Sequence, residues 1–441
     1  MIEADFFIPQ NLIYCARNII NCCCHLFHKF GIICPLTFAA HFQVRANMLA
    51  YIRITFIPLL SLFIFLLGAG FFSTLLALKM TTNHASTMMI GSMTGVFYAG
   101  LVLGSLRVDR FILYLGHIRA YVLFSFLLAV TCLLHGIFYN LELWLFLRFV
   151  GGFATAGLFV VIESWLLSVS VPENRGQVLS LYMISLYGAQ SFGQFFLNIG
   201  DPQTRLLFIL ASILCLLSVI PLYVTWVVPP KYDEPSTLRL GTIMRQSKAG
   251  LLGALSSGMI MGSIYGLMPT YLTHISGSKA DVAKYMFAII FGGMLLQYPI
   301  GKLSDRMARR LVLMLICLAT VTTCLAVMAI HNTASPVFFF LMILLGGLTF
   351  TLYPVSVSYA CDFLDRRDIV VGTQGLLLAY SIGAMIGPFI APMFMQALGH
   401  TGLFIYFCAV SILVMPFFIP RRILPKTSLD NDERSALQEA S

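Results

Sequence analysis

The sequence predicts an all-α polytopic membrane protein, with twelve transmembrane helices in two six-helix bundles. Three observations carry that prediction. Of 441 residues, 59% are hydrophobic and only 10% are charged, whereas a soluble domain charges about a quarter of its residues to cover its surface. The apolar residues fall in many runs near twenty long, the length of helix that crosses a roughly 30 Å hydrocarbon core at about 1.5 Å per residue. Glycine and charge signatures also recur at a nearly constant offset. A soluble globular enzyme is excluded.

Residues 1–47 form an N-terminal extension without a clean apolar span. It holds Cys15, Cys22, Cys23, Cys24 and Cys34 with His25 and His28, but adjacent cysteines lack the C-x2-C and H-x3-H spacing of a zinc site. No metal or other cofactor is expected there. The stretch also lacks the order of a cleaved signal peptide, and reads either as a peripheral extension or as an upstream misread start with Met48 as the working initiator. The other six cysteines sit singly in apolar runs, where a thiol behaves as a small hydrophobe.

Six spans are expected near 54–78, 86–106, 118–138, 143–167, 177–199 and 205–227, and they define an N-terminal bundle over residues 48–228. The stretch 229–248 contains PPKYDEPS, is too charged for lipid and reads as a cytoplasmic linker. Six more spans follow near 249–273, 284–303, 311–331, 336–361, 370–396 and 401–420, making a C-terminal bundle over 249–420. Residues 421–441 are a polar cytoplasmic tail. With both ends inside, one set of loops collects most of the Lys and Arg, including Arg107, Arg110, Arg119, Arg175, Arg306, Arg309, Arg310, Arg366 and Arg367, while the other holds only Lys79, Arg205, Lys279 and Lys284. That asymmetry orients the chain by the positive-inside rule. The net charge of +9 then reflects an anionic inner leaflet rather than nucleic-acid binding.

Sliding one half over the other matches Gly68 with Gly262, Gly151-Gly152 with Gly346-Gly347, Asp109-Arg110 with Asp305-Arg306 and Gly193 with Gly387. Glycine pairs are common in membrane helices, but four matches in sequence order describe a parallel repeat. A site between two such halves is what alternating access uses.

The loop Gly301-Lys-Leu-Ser-Asp305-Arg306-Met-Ala-Arg309-Arg310 closely resembles the G-x-L-x-D-R-x-G-R-R signature of the major facilitator superfamily, with Ala308 in place of its second glycine. Asp109-Arg110 through Gly116 and Arg119 keeps the pieces of a first-half copy at stretched spacing. The segments MGSIYGLMPTYL (261–272), QYPIGKLSDR (297–306), LTFTLYPVSVSYACD (348–362), VVIESWL (160–166) and LGHIRAY (115–121) are similar to the bacterial YcaD-like subgroup. The resemblance covers about residues 50–420. It implies a secondary transporter of the bacterial inner membrane whose first, fourth, seventh and tenth helices line a central cavity.

An ionised side chain in the bilayer interior costs at least roughly 2.5 kcal/mol on insertion scales, so Arg148 and Glu163 on the fourth span each need a reason. Fifteen positions apart, they are separated by about 22 Å along the axis and cannot pair. Arg148, in R-F-V-G-G, resembles the superfamily's fourth-helix arginine motif, which implies contact with substrate or with the coupling reaction; the alternative is an arginine snorkelling to the outer interface. Glu163 reads equally as a proton carrier, bound to H⁺ in one state and free in another, or as part of an inner gate.

Asp362 is expected as the second-half parallel of Glu163, near Arg306 and Arg309. The resemblance implies that Asp305, Arg306, Arg309, Arg310 and Asp362 form a cytoplasmic charge cluster that gates the cavity. Gln190, Tyr265, Tyr353 and Gln374 are the neutral groups singled out for the substrate. The set suits a neutral or weakly charged solute, with Arg148 as the lone strong anchor for a carboxylate. The expected partners are thus a small-molecule substrate, protons and the lipid bilayer, with a monomer as the working unit. An integral membrane enzyme or a non-transporting sensor is the alternative, but the histidines His84, His274, His331 and His400 are expected to sit singly.

Overall fold

The computed structural model describes residues 35–169, 175–224, 247–330, 335–363 and 369–419. The cysteine- and histidine-rich start, the linker, the tail, His331 and the pair Arg366-Arg367 lie outside them. From Pro58 onward the chain forms one compact unit.

The helices follow the predicted order. They are α1 (Pro35–Thr82), α2 (Thr87–Leu115), α3 (His117–Ile137), α4 (Leu141–Val169), α5 (Arg175–Gly193, extended by a 3₁₀ turn, Gln194–Asn198) and α6 (Leu206–Leu217, continued by Val219–Val224). After the linker come α7 (Lys248–Ser276), α8 (Lys279–Arg306), α9 (Arg309–Ala329), α10 (Pro336–Cys361), α11 (Ile369–Leu398) and α12 (Gly402–Val414, with a 3₁₀ turn at Met415–Phe418). Among the described residues, ten helices are long and apolar enough to cross a membrane; α5 and α12 complete the twelve.

Local chemistry sets the ends. Asn140 accepts from the N–H groups of Glu142 and Leu143 at 3.0 and 3.1 Å, and Ser335, followed by Pro336, accepts from Val337 at 3.2 Å. Both are N-caps that satisfy orphan donors of a first turn. Gly116, at φ 78°, joins α2 to α3, a left-handed conformation that costs glycine little. In the matching second-half loop Ala308 holds φ −57°, and its carbonyl accepts from Leu311 and Val312 at 2.8 and 3.2 Å. The turn there needs no glycine, which explains how the signature tolerates the exchange.

The repeat is visible in how glycines admit neighbouring backbones. A Cβ on Gly152 of α4 would strike the carbonyl of Phe97 on α2, and one on Gly346 of α10 would strike that of Ile289 on α8. Gly100 meets the Phe149 carbonyl as Gly292 meets that of Ile343, and Gly193 meets Leu67 as Gly387 meets Met259. Close approach of this kind is how membrane helices gain packing energy without a hydrophobic drive between them.

These contacts correct two expectations. Gly152 corresponds to Gly346, an offset of 194 (346 − 152), not to Gly347. By the same offset the parallel of Glu163 is Val357 rather than Asp362. For α2 and α8 the offset is 192 (292 − 100), so Asp109 lies about one helical turn deeper than Asp305.

Across the halves, α2 packs on α11 and α7, and α5 packs on α8. The loops poor in Lys and Arg lie on one face of the assembly and the basic loops on the other. At the Lys/Arg-poor face the halves are zipped together. Thr81 of α1 donates to Thr270 of α7 at 3.1 Å, and Lys279 donates to the Gly200 carbonyl at 2.8 Å. Gly91 and Gly95 of α2 lie against Pro388 and Phe389 of α11, and Gly266 of α7 lies against Thr94 of α2.

Candidate functional site

Helix α4 carries both candidate charges, and the structure treats them differently. Arg148 is buried, at 5% exposure. Its Nε donates to the Met93 carbonyl at 3.3 Å and its Nη2 to the Ser73 hydroxyl at 3.2 Å. The guanidinium also lies over the Phe97 ring, 4.3 Å from its centroid, a geometry in which the ring quadrupole attracts the cation. Among the described residues no carboxylate pairs with it. It does not snorkel. Beside it lies a cavity of about 10 Å³ bounded by Ser73, Met80, Met93, Thr94 and, from the other half, Gly266. That is room for about one water, so in this conformation an organic carboxylate has no space at the arginine.

Glu163 sits six residues, just under two turns, before the α4 end at Val169. Its Oε1 accepts from the Tyr182 hydroxyl of α5 at 2.5 Å, the length of a charge-assisted O–H···O⁻ bond. Among the described residues no cation reaches it. Tyr353 of α10 lies within electrostatic reach, which brings the second half to the carboxyl.

Between these two charges runs a column of phenols. Tyr265 of α7 donates to Gln190 Oε1 of α5 at 2.8 Å, joining the halves in mid-membrane. Tyr187 packs edge-on against Phe350 at 5.2 Å, Tyr265 lies 6.0 Å from the same ring, and Tyr353 lies 4.9 Å from Tyr380. Tyr98 of α2 lies near Tyr187, Tyr265 and Tyr380. Tyr187, Tyr265, Tyr353 and Tyr380 are each half-buried. Tyr265, Tyr353 and Gln190 were singled out from sequence and meet here. Gln374 of α11 is exposed and none of the hydrogen bonds above involves it. Tyr98, Tyr182, Tyr187 and Tyr380 were not singled out; the only local sign is the Tyr182 and Tyr187 pair on one helix.

At the basic face the contacts of the charge cluster gather on Arg309 rather than Arg306. Arg309, at the start of α9, donates to Asp362 at the end of α10, to the Ser358 carbonyl at 2.7 Å, and to Asp305 at the end of α8 at 3.3 Å. Arg306 is exposed and makes no ion pair among the described residues. The reason is geometric. Arg306 ends α8, whereas Arg309 starts the next helix and is aimed back across the loop. Arg310 lies over the Tyr359 ring at 5.5 Å.

The histidines His274 and His400, expected to stand alone, stack at 3.9 Å between centroids. Both belong to the second half, at its Lys/Arg-poor end.

The chain matches the Major Facilitator Superfamily profile over residues 59–379 and 250–439. It belongs to that superfamily. It is 32% identical over 372 residues to the "Uncharacterized MFS-type transporter YcaD" of Escherichia coli strains S88 and ED1a, covering 83% of this chain and 96% of theirs. Solved transporters of the superfamily share the fold at low identity. The nucleoside transporter NupG superposes with a TM-score of 0.68 at 13% identity, over 84% of this chain and 99% of that one. A D-xylose-proton symporter gives 0.65 at 13%, over 86% and 98%. A bacterial homolog of the human lysosomal transporter Spinster, inward-facing and occupied, gives 0.65 at 14%, over 84% and 96%. The chain is thus a multi-pass membrane protein of a transporter family, and its relatives are transporters rather than enzymes.

Proposed function

We propose that this protein moves a small organic solute across the bacterial inner membrane by alternating access, coupled to protons through Glu163. The observation that carries the reading is the Glu163–Tyr182 pair. It is a carboxyl inside the assembly with a hydroxyl donor, no counter-cation among the described residues, and the other half's Tyr353 within reach. Protonated or ionised, it presents a different charge to the opposite half, so its proton occupancy biases how the halves sit.

The excess of Lys and Arg assigns the basic face to the cytoplasm and both ends with it. The zipped face is then periplasmic, and this conformation is closed to the outside. Both halves of the site come from one chain, so a monomer is sufficient. In this reading Arg148 lies at the junction of α1, α2 and α4 beneath the closed face, and the Arg309 cluster lies on the second half at the cytoplasmic side.

The test uses proteoliposomes of the full chain loaded with a pH-sensitive dye and challenged with metabolite and drug libraries. A transported solute dissipates an imposed pH gradient in the parent protein. Glu163→Gln is expected to abolish that dissipation while solute exchange without a gradient persists. Proton coupling retained in Glu163→Gln assigns the residue to the gate.

A further inference from the structure

Three features of the interior bear on what the site accepts. First, the side chains gathered between the halves are phenolic: Tyr187, Tyr265, Tyr353 and Tyr380 are half-buried, with the buried Tyr98 and Phe350 among them. Second, the charge at the foot of this column is negative. Glu163 accepts from Tyr182 and meets no lysine, arginine or histidine among the described residues. Third, the interior's cation is withdrawn from it. Arg148 is committed to the Met93 carbonyl, the Ser73 hydroxyl and the Phe97 face, about 22 Å away along α4, with room beside it for little more than a water.

Aromatic faces carry negative quadrupole potential and attract desolvated cations, quaternary ammonium groups above all. An anion placed among them meets the same faces and a carboxylate, and has only phenol O–H groups, without a cation, to offset its lost hydration. A neutral aromatic gains ring stacking alone. A monovalent organic cation gains stacking, cation–π attraction and a charge partner together.

We infer that the tyrosine column above Glu163 is a binding site for a monovalent organic cation of the aryl-ammonium class. This deepens the transport reading by naming the substrate class of the same site. The ammonium head lies toward Glu163 and Tyr353, and the apolar body lies among Tyr187, Phe350 and Tyr380. It also revises the expectation of a carboxylate solute anchored by Arg148.

The experiment is isothermal titration calorimetry on the purified full chain with three probes of similar shape: phenyltrimethylammonium, its uncharged isostere tert-butylbenzene, and benzoate. The cation is expected to bind at least tenfold more tightly than either of the others. Tyr353→Ala is expected to weaken it about tenfold and Tyr353→Phe to leave it within about twofold, because the face and not the hydroxyl does the binding. Glu163→Gln is expected to cost the cation at least tenfold and to leave tert-butylbenzene unchanged, a control that the variant is folded.

Equal binding of the isostere, tighter binding of benzoate, or no heat from the cation overturns the assignment. So does loss of binding in Tyr353→Phe equal to that in Tyr353→Ala. These outcomes concern equilibrium binding. A chain that transports some other solute in liposomes yet fails this titration loses the cation class and keeps the transport reading; a chain that binds the cation and moves nothing does the reverse.

Discussion

Gly152 of α4 and Gly346 of α10 touch backbone carbonyls of α2 and α8 in the same way. Four residues before that glycine, however, α4 has Arg148 where α10 has the fully buried Met342, and eleven residues after it α4 has Glu163 where α10 has Val357. Packing has been kept in both copies, and charge in one. The glycines are fixed by how closely two backbones approach, a demand the two halves share. The charges answer to something the halves do not share: in the proposed reading Glu163 of the first half faces Tyr353 of the second, while Arg148 is committed to Met93, Ser73 and Phe97. An asymmetric pair of this kind gives the rocking motion something to sense, since the charged wall moves relative to an aromatic one.

Making α4 resemble α10 is the strongest way to break the comparison. Arg148→Met removes a buried cation that has no carboxylate partner among the described residues, and replacing buried charge with packed apolar volume is often neutral or stabilising. The expected result is transport reduced at least a hundredfold with a melting temperature equal to or above the parent's, read by uptake and thermal unfolding in parallel. Transport at the parental rate would remove Arg148 from the functional account.

Next in size is the seam that both halves build. A side chain at Gly266 meets Thr94 across the halves, and it also narrows the small cavity at Arg148. Gly266→Leu is expected to hold the Lys/Arg-poor face open and slow turnover at least tenfold. Cysteine probes on α2 and α7 at that face should become more reactive to a membrane-impermeant thiol reagent, and unchanged reactivity would show that the seam tolerates the bulk.

The smallest effect is expected at the basic face. Asp305 and Asp362 are 71% and 48% exposed in their pairs with Arg309, and exposed ion pairs contribute about 0–1 kcal/mol. Asp305→Asn should therefore shift stability by less than about 1 kcal/mol in thermal unfolding, with any loss of transport reflecting the balance of conformations. A larger destabilisation would mean the cluster holds the second half together.

Much of the fold was legible in the sequence because it rests on composition. A chain this apolar has few options, and runs near twenty residues and recurrent glycines define order and duplication. The register of the repeat was less legible. Matching letters aligned Gly152 with Gly347 and Glu163 with Asp362, whereas the contacts are set by which glycine faces a carbonyl, information that a pair of adjacent glycines does not contain. Arg306 and Arg309 are three positions apart in one motif, and only the helix end between them decides which one reaches Asp362. The tyrosine column was hidden for a different reason. Its members come from α2, α5, α7, α10 and α11, and no local pattern in any one helix signals that their rings converge.

The central claim is that the halves alternate about this interior and that the face joined by Thr81 and Thr270 must open in each cycle. Cysteines at both positions, cross-linked by oxidation or a short bifunctional thiol reagent in the full chain, test it directly. The account predicts that the linked protein binds solute from the cytoplasmic side yet stops transporting, with activity restored on reduction or absent loss in either single variant. Full transport with that face covalently shut would contradict it.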